Sequence, residues 1–260
     1  FFVISGFLIT SLLLRERTST GRIDLLGFWL ARARRLLPAV FLVLAAVTLA
    51  ARFIGLPVRR EAVSADILST LFYVANWRMH LSDEAYFATL ATPSPLRHAW
   101  SLSVEEQFYI IYPLLLLGLL AVVRKRNRLA MALGGLAVLS AVLMAVLYTP
   151  GHEPSRVYYG TDTRAQSLLL GAALGLWSAP RAGRRPIRSL PGGLLLAMGA
   201  VGLIVTLVGL VVISPEAPWM YQRGGILLLG LAAAALVLAC ADDRGSPLTR
   251  ALGRGPLAHT

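Results

Sequence analysis

"HAWSLSVEEQFYIIYPLLLLGLLAVV", His98 to Val123, decides the fold class. From Phe108 onward its sixteen residues carry no charge. About twenty apolar residues cross a bilayer as a helix, so the stretch reads as a membrane span. Its opening differs: a histidine, two serines and the adjacent acids Glu105 and Glu106. A carboxylate at membrane depth costs about 3 kcal/mol or more unless it meets a partner or a wet cavity. Adjacent helix residues diverge by about 100°, so the two acids cannot share one environment. Glu105 shares a face with Phe108, Tyr109 and Tyr112 at helical spacing. That makes Glu105 the acid expected to be buried and able to handle a proton. Glu106 is expected to sit solvated at headgroup level.

The rest of the chain has the same build. Of 260 residues, 57% are hydrophobic, and the mean hydropathy is +0.68. Blocks of Leu, Ala, Val and Gly alternate with short arginine-rich connections. Strand-like alternation in segments of about ten residues, the mark of a β-barrel, is absent. The fold class is all-α, a polytopic bundle of transmembrane helices. Seven spans are expected at 1–14 (truncated), 36–54, 101–123, 129–148, 164–179, 192–213 and 224–240. There is no internal repeat, and the single cysteine, Cys240, lies in an apolar block.

The net charge of +12 flanks the spans instead of covering a folded basic face. Membrane lipid, not nucleic acid, is therefore the expected partner. With 15–35 on the cytoplasmic side, alternation also puts 124–128, 181–188 and 244–254 there. Those connections hold 17 of the 25 basic residues, while 9 of the 13 acids fall outside. Parity then requires that "ADILSTLFYVANW", Ala65 to Trp77, not cross. It is short for a span and reads as one interfacial or re-entrant helix on the outer side.

Three further stretches carry polar chemistry. "RARRLLP", Arg32 to Pro38, is a cytoplasmic anchor. It also suits phosphate, since arginine forks would precede a helix N-terminus with Pro38 in its first turn. "YGTDTRAQSLLLGAALG", Tyr159 to Gly175, offers Thr161 or Asp162 as a helix cap. Asp162 and Arg164 are placed at the outer end with Glu105, and Gly171, Ala172 and Gly175 permit close helix packing. In "FFVISGFLIT", Ser5 and Gly6 read as a helix contact. No nucleophile elbow or metal-type histidine spacing occurs. Of the four histidines only His98 adjoins a motif, as a candidate base or a surface residue.

Taken together, "FFVISGFLIT", "FWLARARRLLPA", "HAWSLSVEEQFYIIYPLLL" and "YYGTDTRAQSLLLGAALG" resemble the acyltransferase family 3 membrane proteins of the O-acetyltransferase type. The resemblance touches almost the whole chain, and "WSLSVEEQFY" is its specific part. It implies one membrane-embedded acyltransferase domain over 1–260, incomplete at both ends, in a multi-pass protein of the bacterial plasma membrane. It implies acetyl-CoA or another acyl-CoA as donor, with no metal, and a hydroxyl of a cell-envelope glycan or small molecule as acceptor. Glu105 matches the motif acid. Arg34 and Arg35, with Arg32 nearby, match the stretch expected to meet the CoA phosphates. Asp162 and Arg164 match the Thr-Asp-Thr-Arg element. The family's catalytic histidine would precede Phe1, so the chain as given lacks that base and is expected to be inactive alone. A transporter or flippase for a lipid-linked glycan is the rival reading.

Overall fold

The computed structural model describes residues 1–53, 60–82, 94–180, 186–212 and 217–242. The basic connection at 244–254, His259 and parts of the outer segment lie outside them. The described residues contain no strand. The helices are α1 (Phe2–Thr20), α2 (Leu25–Phe53), α3 (Arg60–Leu71), α4 (Ala75–Leu81), α5 (Ala99–Val122) and α6 (Arg126–Leu147). They continue with α7 (Ser155–Tyr159), α8 (Thr161–Ser178), α9 (Gly192–Val212), α10 (Pro218–Gln222) and α11 (Gly225–Cys240). All seven expected spans have a helix. Among the described residues, α2, α5, α6 and α9 are long and apolar enough to cross a membrane, and α11 is a shorter apolar helix. The chain is a helical membrane bundle.

The core lies where α1, α5, α6 and α8 meet. Leu13, Leu116, Leu129, Leu133, Leu168 and Leu176 are fully buried there. In contrast, α2 and α9 present exposed apolar flanks, with Phe41, Leu42, Leu210 and Val211 among their exposed side chains. An apolar flank of this kind suits hydrocarbon, which leaves helix association to packing and polar contacts.

The α1–α8 contact shows that packing. A Cβ on Gly6 would run into the carbonyl of Leu168, and one on Gly171 into the carbonyl of Val3. At Gly175 the same test gives 3.0 Å to the Phe7 carbonyl. The two backbones touch because these positions have no side chain, as the small-residue series suggested.

Two expectations need correction. The basic stretch does not precede a helix, because α2 begins at Leu25 and Pro38 lies well inside it. An arginine that faces a neighbouring helix does not end a helix; it only interrupts the apolar count. The outer helix is also broken. Tyr73 takes a left-handed φ of 55°, and α3 and α4 form two pieces braced by an Arg78–Asp66 pair at 2.8 Å. Both pieces pack at the end where α5 and α8 begin.

Candidate active site

The motif helix α5 carries Glu105 and Glu106 just over a turn and a half beyond Ala99. Both are buried. Glu105 accepts a hydrogen bond from the Ser5 hydroxyl of α1. Glu106 accepts one from Arg32 Nε of α2 at 2.9 Å. The expectation of a solvated Glu106 is therefore wrong. Adjacent residues do point apart, but α1 lies on one side of α5 and α2 on the other, so each acid finds its own partner.

Arg32 is fixed twice. Its guanidinium lies 3.6 Å from the centroid of the Tyr109 ring, a cation–π contact. This places Arg32 at the height of the acids, not with the cytoplasmic arginines. Arg34 and Arg35 are exposed on the same helix. The three candidates for anion binding thus separate: Arg32 is committed to Glu106, while Arg34 and Arg35 remain fit for an external anion.

Trp29, one turn before Arg32, donates from Nε1 to the carbonyl of Tyr109 at 3.1 Å. The cause is in the sequence of α5. In a helix the Tyr109 carbonyl would accept from the N–H four residues on, but that residue is Pro113, which has none. Trp29 supplies the missing donor. Below it, Tyr112 and Thr10 join through their hydroxyls at 2.6 Å, and Phe108 stacks on Tyr112 at 4.7 Å. The aromatic strip read from the sequence is buried.

A second polar layer closes the same end. Gln107 Nε2 donates to the Tyr73 carbonyl at 2.7 Å and to Asn76 Oδ1 at 2.9 Å. Asn76 Nδ2 donates to the Tyr159 carbonyl and to Thr161 Oγ1, and Thr161 donates to Gln107 Oε1 at 2.5 Å. These side-chain amides lock α4, α5 and α8 together and hold Tyr73 in its unusual conformation. In α4, burial and the nearby Arg156 hold the His80 imidazole below its ordinary range.

The Thr-Asp-Thr-Arg element divides. Gly160 is the N-cap of α8, and no side chain caps it, so neither Thr161 nor Asp162 plays the expected part. Asp162 forms a two-point pair with Arg156, at 2.9 and 2.6 Å. Arg164 is buried, donates from Nε to the Tyr158 carbonyl at 2.6 Å, and lies against Trp100 and Tyr158. Neither bonds to Glu105. His98 is exposed at the start of α5, two turns ahead of Glu105, and does not join the cluster. Ser5, Trp29, Asn76, Gln107 and Arg156 were missed as site residues. For Trp29 the signal was available: with α2 started at Leu25, Trp29 and Arg32 share a face.

A family model described as an acyltransferase domain matches residues 1–254. The chain belongs to this acyltransferase family. It is 39% identical over 260 residues to "Putative peptidoglycan O-acetyltransferase YrhL" of Bacillus subtilis (strain 168), covering 99% of this chain and 40% of that protein. It is 39% identical over 232 residues to "Peptidoglycan O-acetyltransferase OatA" of Listeria monocytogenes serovar 1/2a, covering 89% of this chain and 37% of that protein. A third relative, named as an O-acetyltransferase in Staphylococcus aureus (strain COL), is 40% identical over 229 residues, 88% of this chain and 37% of its own length. The chain thus spans about two fifths of the curated relatives it matches. No solved structure matches. The transporter reading gains no support from these relatives.

Proposed function

We propose that this chain is the membrane-embedded transfer domain of an O-acetyltransferase of the bacterial plasma membrane. It moves an acetyl group from acyl-CoA to a hydroxyl of a cell-envelope glycan, with peptidoglycan as the acceptor its relatives' names suggest. The observation that carries the reading is the buried acid pair of α5, one acid bound to a hydroxyl and the other to an arginine.

The two acids do different work. Glu106 is neutralised by Arg32 and anchors α2 to α5. Glu105 meets only a neutral hydroxyl, so it remains free to accept and return a proton. Its part is to take the proton of an acceptor hydroxyl, or to orient the family's upstream histidine for that step. Arg34 and Arg35 suit phosphates through charge-assisted bonds, but they follow Arg32 along α2 toward the start of α5 and lie away from the cytoplasmic end. On the end assigned to the cytoplasm, a cavity of about 460 Å³ is lined by Arg15, Arg126, Ser11, Thr18 and Ser178. It offers a polar entry for such a donor.

The test is Glu105→Gln in the full-length protein, assayed with labelled acetyl-CoA in membranes. Transfer to glycan should fall by about a hundredfold or more, the scale of a lost general base, while membrane insertion is unchanged. Full activity in that variant sinks the assignment.

A further inference from the structure

Tyr73, at the corner between α3 and α4, is the one residue other than glycine with a left-handed φ among the described residues. The corner closes α3 through its backbone. The Val74 N–H donates to the Ser69 carbonyl at 2.8 Å, and the Tyr73 N–H donates to the Thr70 carbonyl at 3.1 Å. This is the Schellman arrangement, whose left-handed position is ordinarily glycine because a Cβ is strained there. The end of α1 is ordinary in this respect, with Gly21 at φ 78°. Helix closure alone would select glycine at position 73 as well. A tyrosine there needs a reason outside the corner.

The reason lies on α5. Gln107, the residue after Glu106, donates from Nε2 to the Tyr73 carbonyl at 2.7 Å. The corner is thus pinned to the helix that carries the acids, beside Glu106 in the chain. The Tyr73 side chain is half-buried. Burial holds its phenol above the ordinary range, the Glu106 charge raises it further, and Arg32 opposes the rise. Both members of the Arg32–Glu106 pair therefore act on this phenol. The pair has room for a third group. Arg32 meets Glu106 at one point, Nε to Oε1, whereas Arg156 grips both oxygens of Asp162. A carboxylate held by one oxygen can still turn, and its other oxygen can accept from a hydroxyl.

We propose that Tyr73 is a positioning residue of the acid pair: held in its strained corner by Gln107, it steadies Glu106 beside Arg32. It touches neither donor nor acceptor. While Glu106 answers the Arg32 charge, Glu105 keeps its neutral partner, Ser5. With the phenol gone, Glu106 turns away for part of the time, and Arg32 then competes for Glu105. A Glu105 drawn toward Arg32 leaves its place against Ser5, and proton transfer slows while substrate binding is unchanged. The proposal rests on the reading of Glu105 as the proton-handling acid.

The experiment uses the full-length protein and two variants. Tyr73→Gly removes the side chain together with the strain, and Tyr73→Phe removes only the hydroxyl. Tyr73→Gly should melt at or above the wild-type temperature, since glycine suits the corner, yet lose acetyl transfer. Tyr73→Phe should fold as the wild type does and lose about tenfold in kcat, the scale of one hydrogen bond to a charged group, with KM for labelled acetyl-CoA unchanged. Wild-type kcat in Tyr73→Phe overturns the proposal. A raised KM with unchanged kcat overturns it too, because the phenol would then bind substrate. So does a lowered melting temperature in Tyr73→Gly, because the ring would then serve packing. A second measurement needs no activity: the fluorine NMR signal of a fluorotyrosine placed at position 73 should move on Glu106→Gln and on Arg32→Gln. A signal that neither change moves overturns the proposal whatever the reaction proves to be. A signal that moves in a protein whose wild type transfers no acetyl sinks the reaction and leaves the contact standing.

Discussion

At the scale of single residues, the site depends on paired defects. Pro113 removes a donor from α5, and Trp29 of α2 replaces it. The two residues are far apart in sequence, and the coupling is testable by a double-mutant cycle. Trp29→Phe should destabilise the wild type by about 1–2 kcal/mol, because it leaves a carbonyl without a partner in a medium that offers none. In a Pro113→Ala background the restored N–H satisfies that carbonyl, so the same change should cost less than half as much. Reversible unfolding in mixed micelles measures both. Equal cost in the two backgrounds would show that Trp29 acts by packing alone. The Arg32–Glu106 pair follows the same logic with charge: the sequence shows an arginine and an acid, each expensive in a membrane, but not that they meet across 74 positions. The divergence of Glu105 and Glu106 was legible from helical geometry. The identity of their partners was not, because it is set by which helices flank α5.

Among elements, the apolar runs located all seven long helices, since a span is a local property of about twenty residues. The start of α2 was read eleven residues late, at Leu36 instead of Leu25. Arginines at 32, 34 and 35 lower the apolar count there although the backbone stays helical. The break between α3 and α4 was also missed, because Tyr73 is held in its left-handed conformation by a non-local bond from Gln107. The glycine seam was legible, and it makes a clear prediction. Gly171→Ala puts a methyl group against the Val3 carbonyl, so α1 and α8 must separate. Overpacking of this kind costs about 1–3 kcal/mol. It should also weaken the Ser5–Glu105 contact, since Ser5 rides on α1. Gly134→Ala on α6, where a Cβ meets nothing within 4 Å, should be neutral or mildly stabilising through helix propensity. A melt of the two variants side by side separates the seam from a general intolerance of alanine.

For the whole molecule, the decisive quantity is parity. The polar network of Asn76, Gln107 and Thr161 joins α4 to the beginnings of α5 and α8. Among the described residues, α3 and α4 therefore gather at one end of the bundle and do not pass through it. The arginine distribution names that end the outer one. Were α3 and α4 to cross, every later connection would change sides, and the basic run 124–128 would face outward against the usual bias. Cysteine labelling decides this with three exposed positions: Ser19 in the last turn of α1, Asn127 at the start of α6 and His152 before α7. Each is changed to Cys in a Cys240→Ala background, and intact cells are treated with a membrane-impermeant maleimide. His152→Cys should label at once. Ser19→Cys and Asn127→Cys should label only after permeabilisation, and they should behave alike, because two spans and one non-crossing segment separate them. Opposite behaviour of these two would mean that the outer segment crosses. It would also conflict with the cavity that Arg15 and Thr18 of α1 share with Arg126 of α6, which requires the two positions to lie on one side.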